Sequence, residues 1–231
     1  METSNLPIHI QKEIQTTTQR YGAESPKLAS LLSKIGTSFH YRREYSRALT
    51  FFYKSLEIRI ISLGKDSLSV ANSRQRIGVS LLKRSEEQDN SSNNDATKTT
   101  LNNNETNEND HDAVNQLYES LRIRILSRTS SSASIDMAEA YHYLGIALTR
   151  TRDFAGAISY LRTALDMRLT ILGPRDALVS QTYYRMGVAY LQQGSTITLS
   201  IESLSKALAI SREVSSLLGH NDCDESLGVI L

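Results

Sequence analysis

The sequence predicts an all-α fold, a right-handed α-solenoid of antiparallel helical hairpins, and three observations support it. Glycine recurs at one phase: 42 residues separate Gly36 from Gly78, and 42 again separate Gly145 from Gly187. Gly78 to Gly145 spans 67 residues, and a polar insertion accounts for the excess of 25. A fixed period of this size marks stacked supersecondary units, each touching only its neighbours. Within each period, apolar residues fall at helical spacing in two successive runs. The chain of 231 residues also holds only three prolines, which suits a largely helical chain because proline interrupts helices.

In chain order, residues 1–22 are expected to form an N-terminal capping helix, residues 8–22 aligning with the end of a repeat's second helix. Four repeats follow across 23–219, at about 23–64, 65–129, 130–173 and 174–219. In the first, Leu28, Leu31, Leu32, Ile35, Gly36 and Phe39 share one helical face, and Tyr45, Ala48, Leu49, Phe52, Leu56 and Ile60 share another. Ser25-Pro26 opens its first helix, serine as N-cap and proline in the first turn. The second copy keeps Ile77, Gly78 and Leu81, then Ala113, Leu117, Ser120 and Leu121. The third sets Gly145, Ala157, Ala164 and Gly173 where the first has Gly36, Ala48, Ser55 and Gly64, with Asp153 as N-cap of its second helix. The fourth carries Tyr183, Met186, Gly187, Tyr190, Ser200, Leu204 and Ala207, with one extra residue in its Gly194–Thr198 turn. Residues 220–231, acidic then apolar, are a C-terminal tail or the start of a capping helix. Glycine inside a helix costs about 1 kcal/mol relative to alanine, so four at one phase indicate helices crossing too closely for a side chain.

Residues 85–112, Asn-rich and almost free of apolar side chains, interrupt the second repeat between its two helices. Nothing there offsets the entropy of ordering the chain, so a disordered surface insertion is expected. From Glu86 to Asp112 there are eight acidic residues and one lysine, against a net charge of +1 for the whole chain. The near-neutral total thus conceals a scaffold of net +8 carrying an acidic insertion of net −7.

The repeats resemble the tetratricopeptide family, whose frame Tyr141, Leu144-Gly145, Leu148, Ala157, Leu161 and Ala164 fill. The 42-residue period and the endings LEIRIISLG and LDMRLTILGPRD are similar to the kinesin light chain subtype. Arg74 departs from the frame where an aromatic or leucine is expected, as do Ser130–Ser132 where Leu-Gly would close the second copy. The chain has no sustained heptads of the kind that join a light chain to a motor. Leu32-Ser33-Lys34-Ile35-Gly36 also replaces the Leu-Asn-Asn-Leu-Ala of that subtype, so its cargo specificity does not transfer.

The resemblance implies a scaffold that binds proteins in a concave groove lined by the first helix of each repeat. In this chain the corresponding residues are Ser33, Lys34, Thr37 and Tyr41, then Asn72, Gln75, Arg76 and Lys83. The third copy contributes Glu139, His142, Ile146 and Arg150, and the fourth Gln181, Tyr184, Arg185 and Val188. Basic residues outnumber acidic ones there, as an extended acidic or phosphorylated peptide would need. The alternative is ordinary solvated charge on helix faces. Tetratricopeptide domains that clamp a chaperone carboxylate use Lys and Asn where Ser33, Thr37 and Glu139 stand, so that subclass is not expected. Two other function classes remain open: self-assembly through the ends or convex face, and weak nucleic-acid binding by the basic scaffold. The acidic insertion could also lie over the basic groove and compete with a ligand.

Enzyme chemistry is not expected. The five histidines are dispersed, LGKDS lacks the spacing of a phosphate loop, and no metal or cofactor motif is present. One cysteine, Cys223, excludes an internal disulfide. No secretory signal and no apolar run of about 20 residues is found, so the expected location is the cytoplasm and no membrane partner is expected. The mean hydropathy is −0.34.

Overall fold

A computed structural model describes residues 6–92, 99–127, 134–194 and 197–217. The described residues form α-helices and no strand, and they belong to two compact units, Met1–Thr129 and Ser130–Leu231. The first unit contains α1 (Ile8–Tyr21), α2 (Pro26–Tyr41), α3 (Tyr45–Leu63), α4 (Leu68–Ser92) and α5 (Thr99–Leu126). The second contains α6 (Ile135–Arg150), α7 (Phe154–Leu172), α8 (Ala177–Gln193) and α9 (Ile197–Leu217). Hairpins α2–α3 and α4–α5 pack through α3 against α4, with α1 laid on α2; hairpins α6–α7 and α8–α9 pack mainly through α7 against α8.

The repeated glycines are crossing points inside each hairpin. A Cβ at Gly36 would stand 2.7 Å from Phe52 Cε1, and one at Gly78 2.6 Å from Leu117 Cγ. At Gly145 and Gly187 it would lie 2.5 Å and 2.6 Å from the Cγ of Leu161 and Leu204. Carbon atoms in contact settle at about 3.5–4.0 Å, so each site admits only hydrogen. Hydroxyls reinforce the crossings: Ser55 and Ser120 donate to the carbonyls of Ala29 and Ala71 at 2.7 and 2.8 Å.

Starts and turns follow local chemistry. Ser25, Ser134, Asp153 and Asp176 each accept a backbone N–H at the start of α2, α6, α7 and α8. Gly22, Gly64 and Gly173 end α1, α3 and α7 with φ of 89°, 82° and 83°, a region that favours glycine. Gly22 thus ends α1 in the geometry that Gly64 and Gly173 give the second helices α3 and α7.

Successive hairpins are joined by arginine. Arg59 Nη1 on α3 donates to Ser69 O at 3.2 Å and Ser73 Oγ at 2.6 Å on α4. Arg168 Nη1 on α7 repeats this with Leu178 O at 2.8 Å and Thr182 Oγ1 at 2.7 Å on α8. Arg124, in the same register on α5, turns instead to Asn72 Oδ1 (2.6 Å) and Gln75 Oε1 (2.9 Å) of its own hairpin.

The insertion departs from expectation. Composition predicts disorder across 85–112, but α4 continues to Ser92 and α5 begins at Thr99, while 93–98 lie outside the described residues. The polar side chains at its base find partners across the hairpin, which composition alone does not reveal. Arg84 donates to Asn109, Asn109 donates to Gln88 at 3.3 Å, and Ser85, Asn109 and Asp110 are buried. At the same base, Tyr53 of α3 donates to Asp112 at 2.6 Å. Arg74, out of place in the repeat frame, is accommodated by Gln116, which accepts its Nη1 at 2.9 Å. The closing turn of the second copy and residues 220–231 also fall outside the described residues.

Candidate functional site

In the first unit, α3 brings the two first helices α2 and α4 to one surface. Lys34 and Arg76 hold the same repeat position and are both exposed, and Tyr41 and Lys83 share another. Arg76 donates to Thr37 Oγ1, which orients the guanidinium along this surface. His40 Nδ1 lies 2.8 Å from Ser80 Oγ, with the Tyr45 ring edge-on at 5.2 Å. Burial holds His40 below the usual imidazole value, and the Lys83 and Arg76 charges add to the effect. The Tyr41 side chain is 81% exposed, a large aromatic surface with nothing covering it. Lys83 Nζ meets Glu86, one turn further along α4, at 2.7 Å. The surface therefore offers N–H and O–H donors, positive charge and one free aromatic face.

Two predicted groove residues turn inward instead. Gln75 is 8% exposed and is held by Arg124, together with Asn72. His142 is 1% exposed, its Nδ1 3.5 Å from Thr182 Oγ1 and its Nε2 without a hydrogen-bond partner. Burial keeps its imidazole well below the usual range, and Arg168 and Arg185 push the same way. Ser33, Gln75 and His142 share one repeat position, and all three are buried. Periodicity identifies this position as flanking the packing stripe but cannot distinguish groove from interior. The missed signal was the recurring arginine of the second helices, Arg59, Arg124 and Arg168, which engages this polar layer.

In the second unit, Arg150 is half-buried at the end of α6. Gln181, Tyr184 and Arg185 line a cleft of about 450 Å³ between α8 and the last turns of α9. The Arg185 guanidinium lies 5.7 Å from the centre of the Tyr184 ring. A larger, mainly apolar cleft of about 620 Å³ separates α1 from α3, with Leu28 and Leu32 of α2 among its walls. Among the described residues, no three His, Cys, Asp or Glu side chains group as a metal would require. No described helix is long and apolar enough to cross a membrane.

Residues 28–69 and 136–213 each match the Tetratricopeptide repeat family. A comparison with curated protein sequences finds no match. Among solved structures, the chain is similar to a putative kinesin light chain of Podosopora anserina with nearly identical TPR-like repeats. For a single-substitution variant of that protein the TM-score is 0.66 at 13% identity, covering 90% of this chain and 85% of the other. A second structure of the same protein gives 0.64 at 13% identity, over 89% and 85%. BtubC (BKLC) from P. vanneervenii gives 0.65 at 17% identity, over 94% and 74%. At these identities the likeness concerns the fold, an all-α solenoid. The two family matches together span half of the chain and fall on the hairpins whose glycines, caps and arginines repeat in register: this chain belongs to the tetratricopeptide repeat family.

Proposed function

We propose that this protein is an interaction scaffold whose α2–α4 surface binds an extended acidic or phosphorylated peptide. The supporting observation is the convergence of Lys34, Arg76 and Lys83 with Thr37 and the exposed Tyr41 ring on one face. Cations on one face hold carboxylates or phosphates by charge-assisted hydrogen bonds, Thr37, whose own proton goes to Ser33 O, fixes the Arg76 guanidinium, and Tyr41 offers a flat surface to an apolar or aromatic side chain. The supporting helices are packed before any ligand arrives, so little receptor entropy is lost on binding. Burial and the neighbouring cations favour the neutral form of His40, so it adds no further positive charge to this face.

Fluorescence anisotropy with a Glu-rich peptide, its phosphoserine version and a neutral peptide tests this on the full chain. Binding should weaken with added salt and be absent for the neutral peptide. The double substitution Lys34→Glu/Arg76→Glu should weaken it by about tenfold or more, as removal of two charged contacts implies. Equal affinity for neutral and acidic peptides, or indifference to the charge reversal, refutes the proposal.

A further inference from the structure

The cleft of about 620 Å³ between α1 and α3 is built from other residues than the α2–α4 surface, and its rim breaks a pattern. At two other junctions among the described residues, the residue two after the junction glycine forms an ion pair with the following second helix. Asp66 accepts from Arg122 Nη2 of α5 at 2.9 Å, and Arg175 Nε donates to Glu213 of α9 at 3.0 Å. At the first junction that residue is Glu24, two after Gly22. Ser55 and Ser120 set the register of α3 and α5, and two residues beyond them stand Glu57 and Arg122. The position that offers Asp66 a guanidinium therefore offers Glu24 a carboxylate. Glu24 and Glu57 are both exposed and both line the cleft. Like charges repel, so no ion pair of this kind ties α3 to the turn between α1 and α2.

Beneath this rim the cleft is apolar. Ile14 of α1 and Leu28 and Leu32 of α2 are buried at its base, while Ile58 is half-buried and Ile61 is 56% exposed on the α3 wall. Lys54, one turn before Glu57, also lines the cleft and leaves one of the two carboxylates in excess. Hydrocarbon under an acidic rim suits a ligand that carries apolar and cationic groups side by side. We propose that the α1–α3 cleft is a docking groove for a basic amphipathic helix of a partner protein, its apolar stripe on Ile14, Leu28, Leu32 and Ile61 and its Lys or Arg side chains on Glu24 and Glu57.

The dimensions agree. The walls, Gln11–Gln19 of α1 and Lys54–Ile61 of α3, each run about 10–12 Å at ~1.5 Å per residue. An incoming helix sets side chains i, i+3 or i+4, and i+7 on one face over about 10 Å. The volume falls within the range of about 300–1,000 Å³ usual for ligand sites. With Ile61 exposed on the wall, the groove is open to a chain laid along it. The charge it selects is opposite to that selected by Lys34 and Arg76, so this docking is independent of the acidic-peptide reading, which concerns α2 and α4.

Fluorescence anisotropy on the full chain tests this with a labelled Leu/Lys peptide of about four helical turns, its leucines at i, i+3, i+4 and i+7. A scrambled peptide of the same composition and a Leu/Gln peptide of the same pattern serve as comparisons. The patterned Leu/Lys peptide should bind at least about tenfold tighter than either. Glu57→Arg gives Glu24 the partner that Asp66 has in Arg122, and Ile61→Asp puts charge on the apolar wall. Both side chains are exposed, so circular dichroism should show unchanged helix content. Each substitution should weaken binding at least about tenfold. Absence of binding overturns the proposal, as does binding that survives both substitutions. Equal affinity for the scrambled peptide also overturns it, by tracing binding to bulk charge such as that of the acidic insertion. So does a light-scattering mass above the monomer that returns to the monomer in Ile61→Asp, which assigns the groove to a second copy.

Discussion

Replacing Gly145 by alanine sets two effects of opposite sign against each other. Helix propensity alone favours alanine by about 1 kcal/mol. The new Cβ, however, would stand 2.5 Å from Leu161 Cγ, 2.9 Å from its Cδ2 and 3.1 Å from the carbonyl oxygen of Ala157. Contact between carbons requires about 3.5–4.0 Å, so Leu161 must retreat by about 1 Å. It has nowhere to go: Leu161 is fully buried in a cluster with Leu165, Val179 and Met186, and Cγ is the branch point of the side chain. Overpacking of this kind costs about 1–3 kcal/mol, which leaves Gly145→Ala destabilising by about 1 kcal/mol after the propensity gain.

The diagnostic lies in the partner. Leu161→Ala alone should cost about 2–5 kcal/mol through its cavity. In that background the contact with Leu161 is gone and only the 3.1 Å approach to the Ala157 carbonyl remains, so the effect of Gly145→Ala should shift toward stabilisation by at least about 1 kcal/mol. Urea unfolding followed by circular dichroism measures both steps, and hydrogen exchange at α6 and α7 amides confines the effect to the second unit. If Gly145→Ala stabilises the native protein, or has the same effect in both backgrounds, the glycines are not steric crossing points.

Two further outcomes follow from the buried polar layer. The folded-state value of His142 lies well below 6.5, through burial first and then Arg168 and Arg185, while an unfolded histidine takes its proton near 6.5. The unfolded state therefore binds more protons below pH 6.5, so the second unit has its full stability above that pH and loses it as pH falls, by up to about 1.4 kcal/mol per pH unit. His142→Gln should flatten the profile, and an unchanged slope would contradict this assignment. Arg168→Met keeps the aliphatic stem but removes the bonds to Leu178 O and Thr182. It should destabilise the α7–α8 junction by about 2–3 kcal/mol, seen as faster exchange of α8 amides with α2–α5 unchanged; a loss under about 0.5 kcal/mol would show that the arginine is not a staple.

What the sequence revealed depended on whether one copy could be checked against another. Gly36, Gly78, Gly145 and Gly187 were readable because four copies agree, and Ser25 and Asp153 because a cap is a local event. The turn conformation was harder. Arg43 and Arg152 have φ of 62° and 65°, in register with Gly194 at 78°, yet RREY and TRDF read only as polar connections. Their left-handed residue shows itself only when aligned with the glycine of the fourth copy. The exposure of the candidate residues was legible in half. Lys34, Arg76 and Tyr41 are exposed as the frame implies, whereas Gln75 and His142 sit one side of the helix too far and face the interior. A difference of about 100° around a helix separates those fates, finer than a hydrophobic stripe resolves. The base of the insertion is illegible to composition, which counts polar residues without knowing that Arg84, Gln88 and Asn109 meet.

The arginine register also bears on where the chain divides. Each junction needs a donor on the second helix and a hydroxyl on the following first helix. Arg59 has Ser73, and Arg168 has Thr182, each pair 14 residues apart. Arg124 has the donor, but the residue in register with Ser73 and Thr182 is Ala140. A guanidinium buried without acceptors is costly, and Asn72 and Gln75 supply them within its own hairpin. Those amides stand where the first copy has Ser30 and Ser33, and the third Glu139 and His142. The boundary between the two compact units falls between Thr129 and Ser130, directly after this hairpin. The two differences from the first copy go together: the hydroxyl that takes the arginine elsewhere is replaced by Ala140, and the amides of Asn72 and Gln75 supply Arg124 with acceptors inside its own hairpin.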